Sequence, residues 1–293
     1  MIRNRLLAGL GLGLIAAVAQ ADTTDVTWQN RVTVGKDGAH CADDPSCFNR
    51  YHPAIPMVTT AAPGDMITFH TRDAFDSELS LDSTADDIAA LDLNLVHPMT
   101  GPVHIEGAKR GDVLAVTLVD IEPDQFGYTI IVPGFGFLRD MFTEPAFVGW
   151  KLSRTHAESD QMPGIRVPYE AFMGSVGVLP GEPEVESWKA REAALAAAGG
   201  AALPPEPTGA LPADVCGPGS PHADDCLRTV PPRENGGNMD VQQMQVGTTL
   251  LLPCFVDGCG LFVGDVHFAQ GDGEVSGTAI EMGGVVTVTV EIR

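Results

Sequence analysis

The sequence is short of positive charge: 17 Lys and Arg stand against 39 Asp and Glu, a formal net charge of −22. A chain with this balance has no broad face for phosphate, which argues against nucleic acid as a partner and against adsorption to anionic lipid. The sequence also lacks a P-loop, a Gly-x-Gly-x-x-Gly dinucleotide turn and a Gly-x-Ser-x-Gly nucleophile elbow, so nothing in it signals nucleotide or serine-hydrolase chemistry. It carries no repeat of fixed period, and beyond residue 21 no apolar run is long enough to span a bilayer. The acidity is not that of a disordered polymer. Charged residues are only 19% and hydrophobic residues 44% of 293, enough to build a core in one large or two modest domains.

Arg3 and Arg5 precede an apolar run from Leu6 to Val18 and then Ala19-Gln20-Ala21. Basic, apolar and small-x-small segments in that order predict a secretory signal peptide over residues 1–21, cleaved before Asp22. The alternative is an uncleaved N-terminal anchor, for which the run is short. The expected product is periplasmic or secreted. The cysteines agree, because six are present and fall in three close pairs: Cys41–Cys47, Cys216–Cys226 and Cys254–Cys259. A thiolate metal site would need tighter Cys or His pairs, and paired cysteines leave no thiolate nucleophile.

Gly (33) and Pro (22) favour turns and short strands over a helical bundle. Pro63-Gly64-Asp65 and Arg110-Gly111-Asp112 each launch a β-branched run. Pro102 to Glu106 alternates as a strand with one wet face would. Residues 22–180 therefore read as an N-terminal β-rich part. Residues 181–235 hold one helix, Glu184 to Ala198, stopped by Gly199-Gly200, and then a Pro-rich insert. Eight prolines between 201 and 233 predict a mobile surface loop pinned by Cys216–Cys226. Residues 236–293 return to strands at Thr248–Phe255, Leu261–Phe268, Val275–Glu281 and Val285–Ile292, with Asp257-Gly258 and Gly283-Gly284 read as hairpin turns.

Three polar clusters stand out. Gly264-Asp-Val-His-Phe-Ala-Gln-Gly-Asp-Gly-Glu274 places Asp265 and His267 two apart, on one face of a strand, beside a turn that carries Asp272 and Glu274. One imidazole with several carboxylates suits a divalent metal, zinc or alternatively calcium, though a plain hairpin with Asp and Gly at its turn gives the same pattern. Arg233-Glu-Asn-Gly-Gly-Asn-Met-Asp240 spaces Asn238 and Asp240 in the same way, and an Asx turn explains it equally well. The third runs from Asp92 to Glu106 and contains His97, a residue type that by itself is more often structural than a ligand.

At these clusters the sequence resembles the acetamidase/formamidase family. The resemblance rests on Thr100-Gly-Pro-Val-His-Ile-Glu-Gly-Ala-Lys-Arg-Gly-Asp-Val-Leu114, Arg228-Thr-Val-Pro-Pro-Arg-Glu-Asn-Gly-Gly-Asn-Met-Asp240, and Gly264 to Glu274 followed by Ala279-Ile-Glu281. Order and rough spacing hold from about Tyr51 to Arg293. The resemblance implies a mainly β fold of sandwich or distorted-barrel units, and hydrolysis of short linear amides to a carboxylic acid and ammonia, with a divalent metal. It points to the polar residues of the matched motifs; within that set we assign His267, Asp265, Asp240 and His97 as metal ligands and Glu274, Asp272 and Asn238 as catalytic groups, with Glu106 and Glu281 as further candidates. Glu274 is the candidate proton shuttle. The expected partner is a small-molecule amide, with no membrane once the signal is removed; a homo-oligomer is left open. The familiar members are intracellular, lack these cysteines and the Pro-rich insert, and continue past the position of Arg293. The rival reading is an exported, non-catalytic protein that keeps a metal or ligand pocket.

Overall fold

The computed structural model describes residues 30–293, so the signal-like segment 1–21 lies outside the described residues. Runs rich in Val, Ile, Thr and Phe form strands because their side chains fill pleated, buried surfaces. In chain order these are β1 (Arg31–Val34), β2 (Cys47–Phe48), β3 (Arg50–Tyr51), β4 (Thr59–Ala61), β5 (Met66–Thr71), β6 (Met99–Ile105), β7 (Val113–Ile131) and β8 (Ala146–Leu152). There follow β9 (His156–Glu158), β10 (Arg166–Pro168), β11 (Phe172–Val178), β12 (Leu227–Arg228), β13 (Gly236–Asn238), β14 (Thr249–Pro253), β15 (Cys259–His267) and β16 (Glu281–Ile292). The helices are α1 (Ala85–Ala89), α2 (Glu182–Ala197) and α3 (Ala213–Cys216).

Fourteen strands join in one branched sheet whose main path runs β10-β9-β8-β7-β16-β15-β11-β13. The long strand β7 pairs with β14 near its start, β8 near its end and β16 along most of its length. The last strand is thus laid between β7 and β5, and strands from both β-rich stretches interleave in one core. Val103, Leu114, Val116, Val176, Val263, Val286 and Val288 fill it. The mainly β architecture predicted from sequence is the one observed. No helix among the described residues is long and apolar enough to cross a membrane.

Several local expectations are corrected. Gly283-Gly284 is no hairpin turn but lies inside β16, where a Cβ on Gly284 would sit 2.6 Å from the Glu122 carbonyl oxygen. There the missing side chain serves a close approach of β7 rather than a reversal. Asp257-Gly258 joins β14 and β15, which pair with other strands rather than with each other. Val275 to Ile280 is irregular, and the strand begins only at Glu281. The strand β6 is buried on both faces rather than wet on one.

The insert departs most from its prediction as a mobile surface loop. Ala210, Cys216, Cys226 and Leu227 are buried in a second core with Phe48, Tyr51, Trp188 and Phe262. Backbone carbonyls of the insert find buried donors. Asn49 binds Gly209 and Leu211 through its side chain, and Arg50 donates to the Glu206 and Thr208 carbonyl oxygens. A polar, Pro-rich segment has no period to reveal such anchoring. The helix α2 begins two residues earlier than predicted and ends at Gly199, whose φ of 82° is the left-handed turn that glycine permits. All three cysteine pairs form as expected from their spacing, with Cα separations of 5.2, 5.6 and 4.7 Å.

Candidate active site

The sheet register assembles the site. Asp265 and His267 lie near the end of β15, and His267 sits directly across from Glu281 at the start of β16. On the other flank β15 pairs with β11, placing Phe172 opposite His267. The strand β11 in turn pairs Ser175 with Asn238 of β13, so Asp240, two residues beyond β13, arrives beside the same histidine. The loop between β15 and β16 returns Glu274 to it.

His267 is the hub. Its Nε2 stands 3.1 Å from Glu281 Oε2, 3.5 Å from Asp265 Oδ1 and 3.9 Å from Asp240 Oδ1. Two overlapping groups of ligand atoms converge, Asp240–His267–Glu274 and Asp265–His267–Glu281, each within 4.8 Å. On its far side His267 Nδ1 meets Gln270 Oε1 at 2.9 Å, while Gln270 Nε2 donates to the Asp240 carbonyl oxygen at 3.1 Å. Gln270 therefore presents its oxygen to Nδ1, which donates, and Nε2 is the ring atom directed at the carboxylates.

The electrostatics are those of crowded acids around one cation. Burial would lower the His267 pKa, but Glu281 and Asp265 outweigh it and hold the ring protonated well above its ordinary value. Burial would raise Asp265, but the rings of His97 and His267 pull it below the usual carboxylate range. Burial, then the charge of Asp265, raises Asp240 to about 7. Burial, then Glu281 and Asp240, raises Glu274 to about 9. Glu281 is raised by burial and by Asp265. These are like charges forced together out of water, the arrangement that separates the proton affinities of neighbouring groups.

Three observations mark the cluster as built to receive something. Buried oxygens Asp240 Oδ1, Asp265 Oδ1 and Glu281 Oε2 have the His267 ring nearby but make no aligned hydrogen bond, and His97 Nδ1 has no partner either, although native structures rarely leave such atoms without one. Gly174 of β11 faces the cluster without a side chain, and a Cβ there would lie 2.5 Å from Asp265 Oδ2 and 2.9 Å from His267 Nε2. Asp240, Asp265 and Glu274 adopt φ of 50°, 51° and 44°, left-handed geometry that costs a non-glycine residue on the order of 1 kcal/mol or more. Carboxylate oxygens plus one imidazole nitrogen fit a divalent ion such as zinc, with calcium compatible with the oxygens.

The chain matches the acetamidase/formamidase family over residues 33–293. The acetamidase of Mycolicibacterium smegmatis is 35% identical over 264 residues, covering 83% of this chain and 65% of that protein. The chain belongs to the acetamidase/formamidase family. The formamidase of Methylophilus methylotrophus is 33% identical over 263 residues, covering 84% of this chain and 64% of its own length. The chain thus spans just under two thirds of both relatives. Among solved structures, a gamma lactamase from Delftia acidovorans superposes with a TM-score of 0.84 at 35% identity, covering 89% of this chain and 68% of that one. An acetamidase from Bacillus halodurans shares the fold, with a TM-score of 0.66 at 24% identity.

Not every residue singled out from sequence joins this family member's cluster. His267, Asp265, Asp240 and Glu274 meet, and Glu281, a further candidate, completes the set. His97 stands close enough to lower the Asp265 pKa but is outside the two converging groups. Asn238 is spent on structure: its Oδ1 accepts from Ser175 and its Nδ2 donates to the Val230 carbonyl oxygen. Asp272 and Glu106 are exposed and apart from the cluster. Gln270 and Gly174 were not recognised as site residues. The two glycines of Gly174-Ser-Val-Gly177 within a strand are the signal that marks a close approach there.

Proposed function

We propose that this chain hydrolyses the carbon–nitrogen bond of a carboxamide to a carboxylic acid and ammonia. The observation carrying the reading is the position of Glu274, which converges with His267 and Asp240 and also lines an adjoining cavity, where burial and the neighbouring acids raise its pKa and favour the protonated form. An amide nitrogen leaves only when it is protonated, so a buried neutral carboxyl at the reacting bond is a suitable acid. His267 balances the surrounding acids by its charge while no ion is bound, an ion would take the place of its Nε2 proton, and Gln270 fixes the ring's orientation in both cases.

Asp240, Asp265 and His267 would hold a divalent ion, zinc being the first choice, with Glu281 completing the donors. Such an ion, when bound, supplies Lewis acidity toward a carbonyl oxygen and lowers the pKa of water. The names of the related acetamidase, formamidase and gamma lactamase all denote cleavage of an amide carbon–nitrogen bond, and they support the same reaction here. Export of the protein to an oxidising compartment is part of the proposal, supported by the three disulfides.

Ammonia release from formamide and acetamide, measured alongside metal content, tests the reading. Turnover that disappears on chelation and returns with zinc agrees with it. Stoichiometric metal without ammonia from any carboxamide would instead identify a non-catalytic binding protein.

A further inference from the structure

A cavity of about 410 Å³ opens beside the His267 cluster and shares Glu274 and Gln270 with it. These two residues form the wall between chemistry and cavity. Volumes of roughly 300–1,000 Å³ accommodate whole organic ligands, whereas a water occupies about 30 Å³ and acetamide is only a few times larger. Acetamide would leave most of this space unfilled.

The lining away from that wall is apolar: Trp150, Val167, Pro168, Val275 and Ile280 contribute to it. Polar side chains in the lining are already committed. The Trp150 indole donates to Thr129 Oγ1, and Thr129 donates onward to the Ala279 carbonyl oxygen. Ser276 donates to the Thr278 carbonyl oxygen, and Thr278 donates to the Ile130 carbonyl oxygen while accepting from the Ile130 amide. Glu170 is exposed. Apart from the exposed Glu170 carboxylate, a ligand body in this space therefore meets hydrocarbon and satisfied polar side chains, with buried hydrogen-bonding capacity at the Glu274 end.

We infer that the preferred substrates are carboxamides with an apolar acyl chain well beyond acetyl, the chain lying against Trp150, Val167 and Val275 while the carboxamide meets Glu274. The inference rests on the amidase reading and specifies its substrate class. The reaction is unchanged: water adds its oxygen to the acyl carbon, the carbon–nitrogen bond breaks, and the nitrogen leaves as ammonia after gaining a proton. Each methylene moved from water into such a lining improves transition-state binding about fourfold.

Initial rates for formamide, acetamide, butanamide and hexanamide, with the intact chain and its bound metal, test this. We expect kcat/KM to rise along the series, with hexanamide at least about tenfold above acetamide. Val275→Trp, in an exposed loop, narrows the cavity and should lower the hexanamide-to-acetamide ratio at least about fivefold. Val167→Phe repeats the test from the opposite element should the first variant fold poorly. A flat or falling series, or a ratio unmoved by both variants, overturns the inference and leaves the amidase reading standing. Release of ammonia from none of the four amides overturns both.

Discussion

Charge is buried in two ways in this molecule. At the insert, Arg233 meets Glu192 through two parallel bonds of 2.6 and 2.9 Å, and its remaining nitrogen donates to the Arg228 and Pro231 carbonyl oxygens. Charges balance there and donors are matched. At the end of β15, four acids crowd one histidine, three of their oxygens make no aligned hydrogen bond, and three of the backbones are left-handed. The first arrangement fixes a loop to a helix. The second keeps like charges close together at a cost that protonation and the His267 ion pairs relieve in part, and that contrast separates scaffold from candidate site.

The largest effect expected is at the hub. His267→Ala removes the imidazole whose Nε2 lone pair an ion would use in place of a proton, so bound metal and amide turnover should fall in parallel, turnover by at least about 10³-fold. Metal analysis and ammonia assay on the same sample check it; loss of either one alone would break the link between them. On the scaffold side, Glu192→Ala leaves Arg233 buried without its acceptor and should cost about 3–5 kcal/mol in urea unfolding. It should also make the insert the first site of limited proteolysis, whereas in the wild type the burial of Arg228 and Arg233 should protect it.

A third test concerns His52, which packs its ring against His222 of the insert at 3.9 Å between centroids and accepts from the Ala54 amide through Nδ1. Burial and His222 lower its pKa to about 4. The folded value lies below the unfolded value of about 6.5, so the unfolded chain binds the proton more tightly. This contribution is complete above pH 6.5 and is lost as pH falls toward 4. His52→Asn keeps an acceptor for Ala54 and should flatten the unfolding free energy across that window; an equally steep profile would remove His52 as its source. The smallest effect is at the site without metal. Glu281→Gln retains an oxygen for the Ala279 amide but removes one crowded charge, and should stabilise the chelated protein by about 1 kcal/mol in a thermal melt.

What could be read from sequence follows the range of the interaction. Asp265 and His267 converge because strand geometry alone brings residues two apart to one face, and the cysteines pair with near neighbours. Asp240 comes from another segment, carried to His267 by the pairing of β13 with β11 and of β11 with β15. Spacing alone leaves that register open, and the family resemblance supplied it. Asn238 was drawn in by the same two-residue spacing, yet its side chain is consumed by Ser175 and Val230. The glycines of β16 resembled a turn because sequence does not show which strand will press against them.

Glu274 is the group on which the proposed amide cleavage turns. Ammonia release from a carboxamide should be compared between the wild type and Glu274→Gln at matched metal content and neutral pH. The substitution preserves shape and removes the dissociable proton. The account predicts unchanged metal occupancy and a rate lower by roughly 10²–10⁴-fold. A variant that keeps both its metal and its rate would contradict it.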